Sequence, residues 1–468
     1  MLTDDAQTIW RAGVAAVSTE RLLQDNVRVR HDRLEIADRS WPLDEIDRVV
    51  VVGAGKAGAG MAAGLEAALG DETARAKQLA GWINVPADCV RPLRYLKLHA
   101  ARPAGVNEPT EAGVEGARRI LDLVSQLGPR DLCICLLSGG GSALLPAPLP
   151  DVTLADKQQV TRQLSAAGAN IRQLNTVRKQ LSAVKGGGLA RACRAGSLMT
   201  LVISDVLGDP LDIIASGPTV PDPATPHDAL EVLRQLLGPA APPVIVETLQ
   251  RRSAAVPAPR RLRGGNLHDY TTDNGCQVMH RVIGNNAVAV AAAADEARRL
   301  GYRVAAHAAD QLEGLADEVG RQLIEQTLQQ LTAGELDGLI TGGEPVVKLA
   351  PADRRGRGGR NQQLVLAALV AWRQSLGDGV QWPVDLTLLS GGTDGEDGPT
   401  DAAGGWIDAQ VERRILDLQL DVVDALARND AYTLLKQAGG LLTTGPTHTN
   451  VCDLRVVLWK RRAAAASE

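Results

Sequence analysis

The chain has 468 residues, 45% of them hydrophobic, with a formal charge of only -5. That is enough apolar material for sizeable cores and too much length for one ordinary domain, so two are expected. Basic residues are scattered rather than striped, which excludes nucleic acid as an expected partner. No apolar run reaches the roughly 18 residues of a membrane span, and the acidic start Met1-Leu-Thr-Asp-Asp5 is unlike a signal peptide. The six cysteines lack any C-x-x-C pairing. Together these features lead us to expect a cytoplasmic protein with no membrane association.

In chain order, Arg48-Val-Val-Val-Val52 is a β-branched run ending at Gly53, and the Ala- and Gly-rich stretch from Lys56 to Leu69 has helical spacing. This predicts a strand, a tight glycine turn and a helix. The pattern recurs where Asp131-Leu-Cys-Ile-Cys-Leu-Leu137 runs into Ser138-Gly-Gly-Gly-Ser142, and where Met199-Thr-Leu-Val-Ile203 runs into Ser204-Asp205. Cys133 and Cys135 share one face of their strand, as small buried hydrophobes. Strands apolar on both faces that alternate with helices predict α/β architecture: a Rossmann-like, three-layer parallel sheet with ligand loops at the C-terminal strand ends.

From Pro239 to Gly265 prolines and arginines accumulate, which reads as a domain connection. An N-terminal domain over 1–250, a connecting segment over 251–276 and a second α/β domain over 277–460 follow from that break. Within the second domain, an Ala-rich helix runs to Leu300, Arg303-Val-Ala is a strand, Leu315 to Leu331 is a helix, and a strand starts at Leu336. Lys460 to Glu468 is a polar-basic tail expected to fray.

The loops carry the chemistry. Lys56 stands where a strand-turn-helix unit begins, so its ammonium can reach anions held by turn amides at Gly53 and Gly55 and by the helix start. The 138–142 loop offers consecutive N–H groups from Gly139, Gly140 and Gly141 and two hydroxyls, Ser138 and Ser142. It lacks the GK[ST] ending of a Walker A loop and reads as a phosphate or carboxylate cradle. Asp205 ends a strand and is a candidate for substrate or metal contact; Asp209 reads as a cap or Asx turn. The stretch from Asn175 to Gly188 has charges at helical spacing, mostly expected to be solvated, with Asn175 and Lys185 closest to its glycine-rich ends.

Further on, Arg354-Arg-Gly-Arg-Gly-Gly-Arg360 can fold over an anion, because guanidinium forks bind phosphate or carboxylate bidentately. The loop from Thr393 to Asp401 holds three aspartates, Asp394, Asp397 and Asp401; one of them is expected to be structural, and Asp394 and Asp401 are the expected Mg²⁺ pair. Thr393, Thr447 and Asn450 are expected to contact ligand beside them.

These segments, with Ala215-Ser-Gly-Pro-Thr219, resemble in their order glycerate 2-kinase of the two-domain type, whose C-terminal part is called the MOFRL domain (here about 335–458). The resemblance implies ATP-dependent phosphorylation of D-glycerate at its 2-hydroxyl to give 2-phosphoglycerate, in a cleft between the domains. It implies Lys56 and Arg360 as catalytic cations, Asn361 beside them, and ATP and Mg²⁺ as cofactors; no base is evident from the motifs, and Asp205 is the candidate for it. Gln363 stands where the family usually has Glu. The same family has attracted the label of NAD(P)-dependent hydroxypyruvate reductase, which would use Gly53-Ala-Gly-Lys-Ala-Gly58 as a dinucleotide turn. No acid ends a clear second strand to hold the ribose.

The chain has no Phe, against seven Trp and four Tyr. Where the family carries an aromatic this chain reads Leu, as at Leu364 and Leu435, and slack around those leucines is expected.

Overall fold

The computed structural model describes residues 2–106, 108–255, 269–377 and 379–459. Much of the expected connecting segment, and the tail from Lys460, lie outside the described residues. Two compact units emerge: Leu22–Ile203 with Pro210–Ile283, and Met1–Arg21 with Ser204–Asp209 and Gly284–Glu468.

The first unit is built on a seven-stranded sheet ordered Leu96–Arg102, Ala80–Pro86, Val49–Ala54, Leu132–Leu137, Ser197–Ile203, Gln277–Gly284, Asp269–Thr271. Its first five strands pair in parallel. Every residue of Val49–Ala54 and Leu132–Leu137 is buried, which is why both runs are apolar without alternation. Complete burial of such side chains contributes roughly 1.5–3 kcal/mol each. A small antiparallel sheet, Val27–Arg30, Arg33–Ile36 and Arg39–Pro42, is appended to this unit.

The expected boundary near residue 250 differs from this division. Residues up to Ala255 complete a helix, and Asp269–Thr271 and Gln277–Gly284 return the chain to the first sheet.

The second unit carries a mixed sheet ordered Val304–Ala308, Gly338–Gly343, Asp453–Trp459, Leu386–Gly392, Gly404–Ile407, Leu441–Leu442. The first two strands are parallel; Asp453–Trp459 enters antiparallel to both its neighbours. The first helix of the chain, Leu2–Ala16, packs here and not on the parallel sheet. Its buried stripe of Leu2, Ala6, Ile9 and Trp10 joins Val290, Leu454 and Val456 in one core. Gly13 permits the approach: a Cβ there would lie 2.5 Å from Leu454 Cδ2. Helix Arg360–Leu376 is buried from Asn361 to Leu369 and again at Ala371 and Trp372.

Leu364 and Leu435 are both fully buried. The slack expected at Leu435 is missing on one side, because it packs on backbone: a Cβ at Gly405 would fall 2.8 Å from its Cδ1 and one at Gly440 3.1 Å from its Cδ2. Among the described residues no helix is long and apolar enough to cross a membrane.

Candidate active site

Because Val49–Ala54 and Leu132–Leu137 are neighbouring parallel strands, the turns that follow them lie side by side. The first turn spends its amides on the protein itself. Gly55 N donates to Asn84 O at 3.2 Å, Lys56 N to Gly139 O at 2.9 Å and Gly58 N to Gly55 O at 3.1 Å. Ala57 N donates to Ser138 Oγ at 3.1 Å. Gly55 is needed for closeness, since a Cβ would sit 2.0 Å from Ser138 Oγ. Gly55 N and Ser138 Oγ are therefore engaged within the protein and brace the second turn. Gly141 is likewise occupied, its N–H bonded to Ser138 O at 3.2 Å.

The amides of Gly139, Gly140 and Ser142 donate to no protein group among the described residues. Gly140 has φ 76, and a Cβ on it would meet Arg102 Nη2 at 3.1 Å and Lys56 Cγ at 3.4 Å. Lys56, itself exposed, and Arg102 thus flank this glycine. Such a run of open N–H groups under two cations suits an anion.

At the other end of the loop Ser142 gathers a second cationic group. Lys185 Nζ donates to Ser142 Oγ at 2.7 Å and to its carbonyl at 2.9 Å. Arg178 Nη2 donates to Ser142 Oγ at 3.0 Å, and Ser216 Oγ lies 2.9 Å from the same oxygen. Lys157 Nζ reaches the Arg178 carbonyl at 3.5 Å. Helix Ile171–Gln180, started by the Asn170 and Gln173 capping box, sets Arg178 in this position. Ala215 and Ser216, at φ 51 and 62, precede Gly217 at φ 60. Left-handed residues that are not glycine cost on the order of 1–3 kcal/mol each, and here they turn the Ser216 hydroxyl toward Ser142.

Among the described residues no carboxylate pairs with Lys157, Arg178 or Lys185, whereas neighbouring Lys179 has Asp212 at 3.6 Å and Asp222 at 3.8 Å. Burial, then the Arg178 charge, hold Lys185 well below the usual lysine range and push Lys157 down to about 7. Burial also lowers Arg178. Removing a charge from water without a partner costs several kcal/mol, a cost that a bound anion would offset. The charges between Asn175 and Lys185 are thus not the solvated surface expected of them. The groups that meet them, such as Ser142, come from segments distant in sequence, and no local signal in the chain reveals that burial.

In the second unit Arg360 is already well partnered: Nε and Nη2 bond Asp453 at 2.7 and 3.0 Å, and Nη1 bonds Glu344 at 2.9 Å. Among the described residues two of its five N–H groups have no partner. Asn361 is buried and engaged internally: its Nδ2 donates to Asp397 and Asp453 and its Oδ1 accepts from Ser390. Thr393 is equally spent, donating to Cys452 O at 2.7 Å and accepting from Val451 N at 2.9 Å. Thr447 donates to Thr393 O at 2.5 Å. Asn450 accepts from Cys452 N at 3.1 Å and donates to Asp205 Oδ2 at 3.5 Å, and the Cys452 thiol lies 3.1 Å from the Asp205 carbonyl. Gln363 donates to Leu426 O at 3.1 Å.

The acidic loop divides differently from the expected Mg²⁺ pair. Asp394 lines a cavity of about 520 Å³ together with Arg355, Arg360, Glu396 and Asp397. Asp401 is not among its lining; it is exposed and accepts from Tyr432 Oη at 2.7 Å. Both oxygens of Asp453 are held by Arg360. No group of three acidic, Cys or His side chains able to hold a metal occurs among the described residues, so the donor set does not fit a preformed Mg²⁺ cage. Asp397 is the structural acid, capping the amides of Asn361 and Gln362 at 3.1 and 2.9 Å. A larger open groove, about 740 Å³, is lined by Asp47, Arg48 and Asp131 at the N-terminal strand ends, away from the loops where such sheets bind ligands.

A parallel sheet whose glycine loop carries open amides, in one chain with a mixed-sheet unit, suits a two-domain α/β phosphotransferase. The sequence profile described as "Domain of unknown function (DUF4147)" matches residues 5–250, and that of the MOFRL family matches 337–453. The chain is 34% identical to glycerate kinase of Homo sapiens, over 98% of this chain and 94% of that protein. It is 39% identical to an Agrobacterium vitis protein provisionally named hydroxypyruvate reductase, over 88% of this chain and 99% of the other. A crystal structure of glycerate kinase from Thermotoga maritima aligns with a TM-score of 0.81 at 33% identity, covering 98% of this chain and 99% of that one. The chain belongs to the glycerate kinase family.

Proposed function

We propose that the protein transfers the γ-phosphoryl group of ATP to the 2-hydroxyl of D-glycerate, giving ADP and 2-phosphoglycerate. The observation that carries this reading is the 138–142 loop, with three open amides and two separate groups of cations around it. Phosphoryl transfer asks a protein mainly for positioning and charge neutralisation, and the loop supplies both. Lys56 and Arg102 neutralise the phosphoryl group in transit. Arg360, fixed by Asp453 and Glu344, offers its two remaining N–H groups to a phosphate oxygen. The substrate hydroxyl attacks phosphorus as the bond to the ADP oxygen breaks, and Asp205 takes the hydroxyl proton. Among the described residues the side chains do not make a resident Mg²⁺ site; a divalent cation would be held chiefly by the nucleotide phosphates, whose charge it would neutralise.

The reductase reading meets a physical obstacle, since a dinucleotide turn needs free amides and those of residues 55–58 are bonded internally. The strand Ala80–Pro86 ends without an acid. Purified protein given ATP, Mg²⁺ and D-glycerate should form ADP and a product that enolase converts with no phosphoglycerate mutase present. With hydroxypyruvate and NADH the cofactor absorbance should stay constant. NADH consumption without ADP release would install the reductase.

A further inference from the structure

The loop has two cationic ends of different character. At Gly140, Lys56 is exposed and beside open amides. At Ser142, Lys185 is only 4% exposed, and with Arg178 it converges on one hydroxyl that Ser216 also contacts. Building on the phosphoryl transfer proposed above, we infer that Arg178, Lys185 and Lys157 form the anchor for the carboxylate of the acceptor, and that this anchor selects the hydroxyl next to it.

Two arguments favour a carboxylate over the nucleotide's phosphates. The first is charge. Arg178 and Lys185 converge on the Ser142 hydroxyl at 3.0 and 2.7 Å, with no carboxylate paired to either among the described residues, so the pole is compact and only modestly positive. That matches a monoanion and leaves a triphosphate badly undercompensated. The second is shape: a guanidinium and an ammonium meeting at one hydroxyl present a small, buried set of donors, suited to the two oxygens of a carboxylate. Lys179 is excluded from the anchor because Asp212 and Asp222 already pair with it.

The regiochemical consequence follows from connectivity. A carboxylate seated at Ser142 directs the hydroxyl on the adjacent carbon toward Gly140, where Lys56 and Arg102 lie, and leaves the next hydroxyl one carbon farther away. The acceptor class is therefore the short 2-hydroxy acids, with tolerance at the third carbon and none for a neutral polyol.

The test uses the full chain, with D-glycerate and ATP as separate probes in kinetics and in calorimetry. Arg178→Gln should raise KM for D-glycerate on the order of 30-fold or more while KM for ATP moves by less than about threefold. Lys157→Met should abolish the proton uptake that accompanies D-glycerate binding near pH 7.5, as read in buffers of different ionisation enthalpy. D-Lactate should be phosphorylated slowly and glycerol not at all. Should Arg178→Gln fail to fold, Ser142→Ala and the half-buried Lys157→Met carry the same comparison. A KM change falling on ATP, or D-glycerate binding indifferent to these substitutions, would overturn the anchor while leaving the kinase reading intact. Arg178-dependent D-glycerate binding without any ADP formation would support the anchor and remove the kinase reading.

Discussion

Lys56 and Lys185 face the same glycine loop from opposite conditions, one exposed and one buried without a carboxylate. Lys56→Ala should lower kcat by about 100-fold or more, as removal of a group that stabilises transition-state charge does, with stability within about 0.5 kcal/mol of the parent. Lys185→Met should behave in reverse in the empty enzyme. It removes a buried amine that no carboxylate pairs among the described residues and should raise the unfolding free energy by about 1 kcal/mol or more, yet it should lose activity. A destabilised Met variant would mean that Lys185 is better compensated than its geometry indicates. The pH response of Lys157 has a defined sign. Its folded pKa of about 7 lies below the ordinary 10.5, so between those values the unfolded chain holds a proton the folded chain lacks. Its contribution to stability therefore rises as pH climbs from 7 toward 10. Lys157→Met should flatten that slope in urea titrations. Lys56 was legible in the sequence because its turn is local. Lys157 and Arg178 were not, because a charge at helical spacing looks solvated until distant elements cover it.

Helix Arg360–Leu376 depends on one acid at its start. Asp397 accepts the amides of Asn361 and Gln362, and burial, with Asp453 nearby, pushes its carboxyl up to about 7. A folded pKa above the unfolded value means that stability from this group is fully present below about pH 4. It is lost as pH rises through about 7. Asp397→Ala leaves two buried amides unsatisfied and should cost about 1–3 kcal/mol, read by urea unfolding. Asp397→Asn should keep part of the cap and remove the pH slope. The sequence showed an acidic turn and an arginine loop as separate motifs, and it allowed one structural acid among three. It could not show that Asp397 closes on a helix 36 residues earlier, nor that Asp401 turns to Tyr432. Those pairings arise when Leu386–Gly392 and the helix pack into one core.

At the scale of the whole chain, helix Leu2–Ala16 packs onto the mixed sheet formed by the chain's distant C-terminal part. Trp10 is buried there and donates to Gly391 O at 3.3 Å. Trp10→Ala should destabilise by about 3–5 kcal/mol, and a fragment begun at residue 277 should expose the apolar face this helix covers and aggregate, as dynamic light scattering would record. A soluble, cooperatively folding fragment would show that the helix is dispensable. The sequence by itself determined the strand runs, the glycine turns after them, the order of the polar loops and, through that order, the family. All of these are local patterns: period, β-branching and motif spacing. Only the tertiary structure decided that the first turn's amides are consumed, that Arg178 and Lys185 meet at Ser142 with no carboxylate paired to them among the described residues, and that the first helix joins the second sheet. Burial and partnership are properties of neighbours in space, and a neighbour far along the chain leaves no mark on the residues it will cover.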